Sequence, residues 1–126
     1  MPIYDTTAAA EALGIPTKQL DNILSRHSLP GVEKRWRGVG RKIGPDAVVT
    51  LFLAIEFMRA ARVPIVVALE LAHAALTSGG KAELGQFAGI TVDVALARAS
   101  VAARLDAAVE LVGRRPRGRR GTRPGG

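Results

Sequence analysis

A chain of 126 residues has room for one hydrophobic core and an appended helix, and excludes two large domains. Hydrophobic residues make up 48% of it and aromatic residues only 4%, with alanine prominent, so a mostly α fold is expected rather than a sheet-rich one. The formal net charge of +7 points to a polyanionic partner, while the absence of cysteine excludes a disulfide framework, a thiolate metal site and a cysteine nucleophile.

The opening Met1-Pro2-Ile3-Tyr4-Asp5 has neither the basic region nor the apolar core of a signal peptide. Thr6 or Thr7 is expected to cap a short helix through Ala8-Ala9-Ala10-Glu11-Ala12-Leu13, which Gly14 stops. Pro16 and Thr17 open a second helix. Leu20, Ile23 and Leu24 recur in it at helical spacing and leave Lys18, Gln19, Asp21, Asn22, Ser25 and Arg26 facing outward. Ala10, Gly14 and the apolar Ala9, Leu13, Ile15, Leu20 and Ile23 suit a tight helical pair: a small residue faces the turn, a glycine makes the bend, and apolar contacts fix the angle.

From Val32 to Ile43 no helical period survives. Glycines and charges alternate with Trp36, Val39 and Ile43, which predicts a two-stranded ribbon bending near Gly38 to Gly40. Pro45 and Asp46 start a third helix that continues to about Ala61, with Val48, Leu51, Phe52, Ile55 and Met58 or Arg59 on one side. Val63-Pro64 restart the chain as a fourth helix to about Leu76, and Thr77-Ser78-Gly79-Gly80 break it. Residues 77–92 form a connector in which Phe87 and Gly89-Ile90-Thr91-Val92 fit a short strand and a buried loop equally well.

A helical pattern returns over residues 93–112. Val94, Ala97, Val101, Leu105 (or Arg104), Ala108 and Val112 line one stripe, suited either to folding back on the domain or to pairing with a second copy. Residues 113–126 contain only Arg, Gly and Pro apart from Thr122, a composition expected to be disordered. The apolar stretch over residues 47–76 is interrupted by Glu56, Arg59, Arg62, Pro64, Glu70 and His73, so no membrane span and a cytoplasmic location are expected.

The order of these parts, a tight helical pair, a basic ribbon and two further helices, is that of a winged helix-turn-helix. The stretch from about residue 4 to 76 resembles the N-terminal DNA-binding domain of the MerR family of transcriptional regulators. The resemblance is carried by Thr7-Ala8-Ala9-Ala10-Glu11-Ala12-Leu13-Gly14-Ile15, Leu29-Pro30, Arg41-Lys42-Ile43 leading into Pro45-Asp46-Ala47-Val48, and Val63-Pro64-Ile65-Val66-Val67-Ala68-Leu69. It implies a second helix laid in the major groove of double-stranded DNA, a wing on the neighbouring backbone or minor groove, and a homodimer joined by a later helix, here residues 93–112. Carried onto this chain, it makes Thr17, Lys18, Asp21, Asn22, Ser25 and Arg26 groove-facing and sets Arg35, Arg37, Arg41 and Lys42 of the wing (residues 33–42) on phosphates. It also implies a nucleoid-associated regulator.

This chain departs from the family where an Arg-Tyr-Tyr run is usual, carrying Asp21-Asn22-Ile23 instead. Three readings of Asp21 follow. It accepts from a cytosine amino group, it pairs with a basic neighbour, or its helix is not the reading element.

The charge distribution agrees with contact to a polyanion. Residues 113–126 hold six arginines and no acid, leaving twelve basic against eleven acidic side chains in residues 1–112. Within that body, residues 26–62 carry eight basic and three acidic side chains, whereas residues 63–112 carry three and five. The arginine-rich end reads either as a phosphate-binding arm or as the product of a GC-rich coding sequence.

Trp36 is expected to cover the small core of the wing rather than to wedge against DNA. His27 and His73 have no ligand-spaced companions and read as structural, so no metal and no cofactor are expected. Gly38-Val39-Gly40 lacks the flanking strand, helix and Gly-Lys-Ser/Thr ending of a phosphate loop, and nothing groups a nucleophile with a base, so enzyme activity is not expected. Two other functions fit: a protein-interaction or antitoxin-like adaptor holding a protein partner with its C-terminal half, and a phage-type architectural or excision DNA-binding protein.

Overall fold

The computed structural model describes residues 3–33 and 41–114. It is mostly helical, with two small antiparallel sheets. Lys34, Arg35, Trp36, Arg37, the expected bend at Gly38 to Gly40 and residues 115–126 lie outside the described residues.

Helix α1 spans Thr6–Leu13 and α2 spans Thr17–Arg26. The cap of α1 is Asp5, not Thr6 or Thr7: its carboxylate accepts from the Ala8 N–H at 2.8 Å and also sets a negative charge at the positive end of the helix. At the other end Gly14 takes the left-handed conformation (φ 72°), so that its N–H reaches the Glu11 carbonyl (3.2 Å) and the Ile15 N–H reaches that of Ala10 (3.1 Å). Two orphan carbonyls are thereby satisfied, and α2 can begin three residues later. Ala9, Ala10 and Leu20 are buried at the joint.

Strands β1 (Val32–Glu33) and β2 (Lys42–Ile43) pair antiparallel, Val32 opposite Ile43 and Glu33 opposite Lys42. Tyr4 joins this base, exchanging two backbone hydrogen bonds of 2.8 Å with Ile43, whose side chain is fully buried.

Helix α3, Pro45–Ala61, begins and ends where the sequence indicates, with proline in its first turn. The stripe expected on it is too narrow. Val49, Leu53 and Phe57 are buried along with Val48, Leu51 and Ile55, while Phe52 and Met58 are only half-buried. The cause is crowding: α4 (Ile65–Thr77) lies on one side and α1 and α5 on others, so α3 runs through the middle of the core. The hydroxyl of buried Thr50 is satisfied by donating to the Asp46 carbonyl at 3.1 Å.

The connector folds as a hairpin, β3 (Lys81–Leu84) and β4 (Ala88–Thr91), rather than as a buried loop. Phe87 stands at its tip, 93% exposed. Gly80 closes the hairpin base against Val92, donating to the Ala75 carbonyl and accepting from the Val92 N–H, both at 2.7 Å. With φ +110° and room for a Cβ only 2.4 Å from the Val92 carbonyl oxygen, that position requires glycine.

Helix α5 spans Val94–Arg114, two residues beyond the expected end, and Asp93 caps it by accepting from the Leu96 N–H at 3.0 Å. Ala97, Val101, Leu105 and Ala108 are buried against α1 and α3, so the helix folds back on its own chain. Two arginines brace it. Arg98 Nη1 donates to Asp46 Oδ1 at 2.5 Å, and Arg104 reaches the Ala12 carbonyl at 3.4 Å with its guanidinium 5.2 Å from the Phe52 ring centre. Among the described residues, no helix is long and apolar enough to cross a membrane.

Candidate nucleic-acid interface

Helix α2 is held by few residues. Leu20 and Leu24 are its only buried side chains, and Pro16, which begins it, offers no side-chain cap. At 3.6 residues per turn Lys18, Asn22 and Ser25 share the side opposite those leucines, with Asp21 and Arg26 at its two margins. Thr17, Lys18, Asn22, Ser25 and Arg26 are exposed and Asp21 is half-buried. The groove-facing set expected from the sequence is therefore largely on the surface, on one short helix.

Asp21 is paired. Arg41, the residue before β2, donates through Nη1 to Asp21 Oδ1 and through Nη2 to Ser25 Oγ at 2.9 Å, and the Ser25 hydroxyl donates to the Asp21 carbonyl at 2.8 Å. The Arg41 side chain is only 11% exposed and that of Asp21 34%. Burial of this degree makes the pair more than a surface ornament, because its charge-assisted bonds form where water competes less.

The tie does two things. It offsets the carboxylate that would repel phosphates on this side of α2, and it fastens the base of the ribbon to the middle of that helix. Of the readings open for Asp21, the pairing with a basic neighbour is the one the structure has. It also changes the part given to Arg41, which was expected on phosphates and is instead engaged within the chain.

Lys42 is exposed on β2, opposite Glu33. Arg35 and Arg37 lie outside the described residues. The structure thus brings Lys18, Asp21, Asn22, Ser25 and Arg41 together and leaves Lys42 beside them in sequence.

Sequence reasoning missed Arg41 as the residue that joins α2 to the ribbon. The available signal was Asp21 and Ser25 at a spacing of four, which sets a carboxylate and a hydroxyl on one helix face as a fork for a guanidinium. Tyr4 as a third partner of the ribbon base had no signal, since one residue of pairing shows no period.

Of the two histidines, His27 follows the end of α2 and donates its backbone N–H to the Ile23 carbonyl at 3.0 Å, while His73 is exposed on α4. Among the described residues no three His, Cys, Asp or Glu side chains group as metal ligands. No family model matches the chain, and neither a curated protein nor a solved structure matches it.

Proposed function

We propose that this chain is a DNA-binding transcriptional regulator, its residues 4–76 a winged helix-turn-helix of the MerR type. Helix α2 reads bases in the major groove, and the wing over residues 33–42 clamps the backbone beside it. The observation that carries this reading is the Arg41 tie to Asp21 and Ser25. It fastens the base of the ribbon, at Arg41 beside β2, to the helix that displays Lys18, Asn22 and Arg26, and it offsets the one acid of that helix. Asn22 suits an adenine edge, Lys18 a guanine or a phosphate, and Arg35, Arg37 and Lys42 phosphates.

Selection of bound sequences from a random DNA pool at physiological salt tests the proposal. An enriched motif that Lys18→Ala and Asn22→Ala weaken far more than random DNA supports it, with Arg37→Ala weakening both alike. Equal losses on every sequence leave the architectural or excision-type function instead.

A homodimer through residues 93–112 belongs to this reading. The buried stripe of α5 is spent within the chain, so the contact falls to its outward side, where Leu96 and Leu111 are 63% and 44% exposed. Leu96→Glu then lowers the solution mass to that of a monomer, and a monomeric parent overturns the dimer. A second reading, the protein-interaction adaptor, is favoured by one observation: Phe87 is 93% exposed at the tip of a projecting hairpin.

A further inference from the structure

The hairpin of β3 and β4 has two outer edges, and they differ. Its register sets Lys81 opposite Thr91, Ala82 opposite Ile90, Glu83 opposite Gly89 and Leu84 opposite Ala88. The Val92 N–H donates to the Gly80 carbonyl at 2.7 Å, which fixes the phase of the ladder. Ala88 and Ile90 therefore turn their backbone groups towards β3, and Gly89 and Thr91 turn theirs away. On β3 the outward-turned residues are Lys81 and Glu83. That edge is guarded: both residues are charged, α4 packs against β3, and the Lys81 carbonyl accepts from the Ser78 hydroxyl.

The edge of β4 has no such protection. Ala88-Gly89-Ile90-Thr91 contains neither a charge nor a proline, and Gly89 and Thr91 are exposed. Among the described residues, nothing hydrogen-bonds their outward N–H and C=O groups. An uncharged edge with open ladder groups is a template for one more strand.

Symmetry and charge select that strand. Antiparallel pairing of β4 with its own copy about a twofold axis can centre on Gly89, Ile90 or Thr91. Centred on Gly89, it sets Glu83 of both copies in one row of a four-stranded sheet, and centred on Thr91 it does the same with Lys81. Centred on Ile90, each row runs Lys81, Thr91, then Gly89 and Glu83 of the second copy, so opposite charges end every row. These charges lie three strand spacings apart, about 14 Å, beyond the Debye length of about 8 Å at physiological salt. They choose the register and supply little affinity.

Affinity comes from apolar cover. In the register centred on Ile90, the two copies of that residue face each other with Cα atoms about 4.5 Å apart. Phe87 comes level with Asp93 of the second copy, one helical turn before Leu96 in α5. Phe87 and Leu96, 93% and 63% exposed, are the two most exposed large apolar side chains among the described residues, and this register brings them together. Each Phe87 covered removes on the order of 200 Å² from water. With the two strands, the contact falls at the low end of specific interfaces, about 1,200 Å², which fits a weak, concentration-dependent dimer.

We infer that the outer edge of β4 is the seam of a homodimer, its partner a second copy of this chain paired antiparallel through Ile90. This rests on the homodimer of the proposed function and moves its contact from the length of α5 to β4 and the first turn of α5; it does not depend on α2 reading DNA.

Sedimentation of the full chain over about 1–100 μM tests it, with a dimer expected to form across that range. Thr91→Pro removes an outward N–H that the hairpin itself does not use and keeps Ile90 extended, so the fold is retained. It is expected to weaken the dimer at least about tenfold. Leu111→Glu, at the far end of α5, is expected to leave the mass unchanged. Because the chain has no cysteine, Ile90→Cys supplies its only thiol. With oxidised glutathione that variant is expected to give a covalent dimer about tenfold faster than Lys81→Cys on the guarded edge.

A dimer that Thr91→Pro leaves intact, or that Leu111→Glu dissociates, overturns the β4 seam and leaves a homodimer along α5. So does cross-linking of Ile90→Cys no faster than that of Lys81→Cys. A parent that stays monomeric throughout overturns the seam and the homodimer together, while binding of that monomer to a selected duplex would still support DNA reading by α2.

Discussion

Helices α2 and α5 each bury one stripe and expose the rest, but they are composed on different principles. Over its 21 residues α5 carries seven alanines, and its outward side combines Ala95, Ala99, Ala102, Ala103 and Ala107 with a few charges and the exposed Leu96, Val109 and Leu111. Alanine loses no side-chain entropy, so that surface favours the helix itself. Helix α2 has ten residues and no alanine; Thr17, Asp21, Asn22 and Ser25 are all weaker helix formers. Two leucines, Leu20 and Leu24, hold it against the core. Helix α2 thus gives up intrinsic stability while displaying hydrogen-bonding side chains, whereas the alanines of α5 favour the helix itself.

Breaking the packing of α5 has the largest expected effect. Leu105 is 1% exposed among α1, α3 and α5, so Leu105→Ala is expected to cost about 3 kcal/mol through lost burial and a residual cavity, read as a lower midpoint in urea unfolding. A loss under about 1 kcal/mol would mean that α5 does not fold back.

The next largest effect belongs to α2. Arg41→Ala removes both charge-assisted bonds from this side chain to α2, at an expected cost of about 2 kcal/mol together with weaker DNA binding. Asp21→Asn in that background is expected to recover part of both. A double-mutant cycle reads the coupling, and additive losses would show that the pair does not act as a unit.

Asp5→Ala tests the start of α1, on which both helices rest. Loss of the cap to the Ala8 N–H is expected to lower stability by about 1 kcal/mol, while Thr6→Ala changes it little. The reverse order would return the cap to Thr6.

The smallest effect sharpens the contrast of composition. Asn22→Ala is expected to stabilise the protein by about 0.5 kcal/mol, and Ala107→Asn on the outward side of α5 to destabilise it by a similar amount. Matched thermal melts check the pair. Stabilisation by Asn22→Ala accompanied by lost DNA recognition is the signature of a surface kept for contact.

Much of the fold was legible in the sequence because its signals are local. Gly14, Pro16, Pro45 and Pro64 mark helix ends through backbone chemistry that does not depend on the rest of the molecule. The stripe of Val101, Leu105 and Ala108 is periodic over a long element, so its burial was visible, but its covering was not. Whether an apolar stripe meets its own chain or another depends on where α1 and α3 lie, and no pattern within α5 encodes that. The hairpin was ambiguous because four-residue strands are too short to separate one period from another. The crowding of α3 hid in a similar way, since a helix buried nearly all round loses the contrast on which a stripe is recognised.

The candidate site was legible by residue type and not by partnership. Lys18 and Asn22 were found on the outer side of α2 because periodicity places them there. The part played by Arg41 was missed because its partners are twenty and sixteen residues away, and only the folded ribbon base brings them near.

The central claim is that α2 reads bases. The direct measurement is the affinity of the parent and of Asn22→Ala for a selected duplex and for random duplex, at one salt concentration. The account predicts that the ratio of the two affinities falls by at least about fivefold in the variant, as loss of a base contact requires, while the folded protein becomes no less stable. An unchanged ratio, with both affinities falling together, would contradict it and leave α2 as a backbone contact.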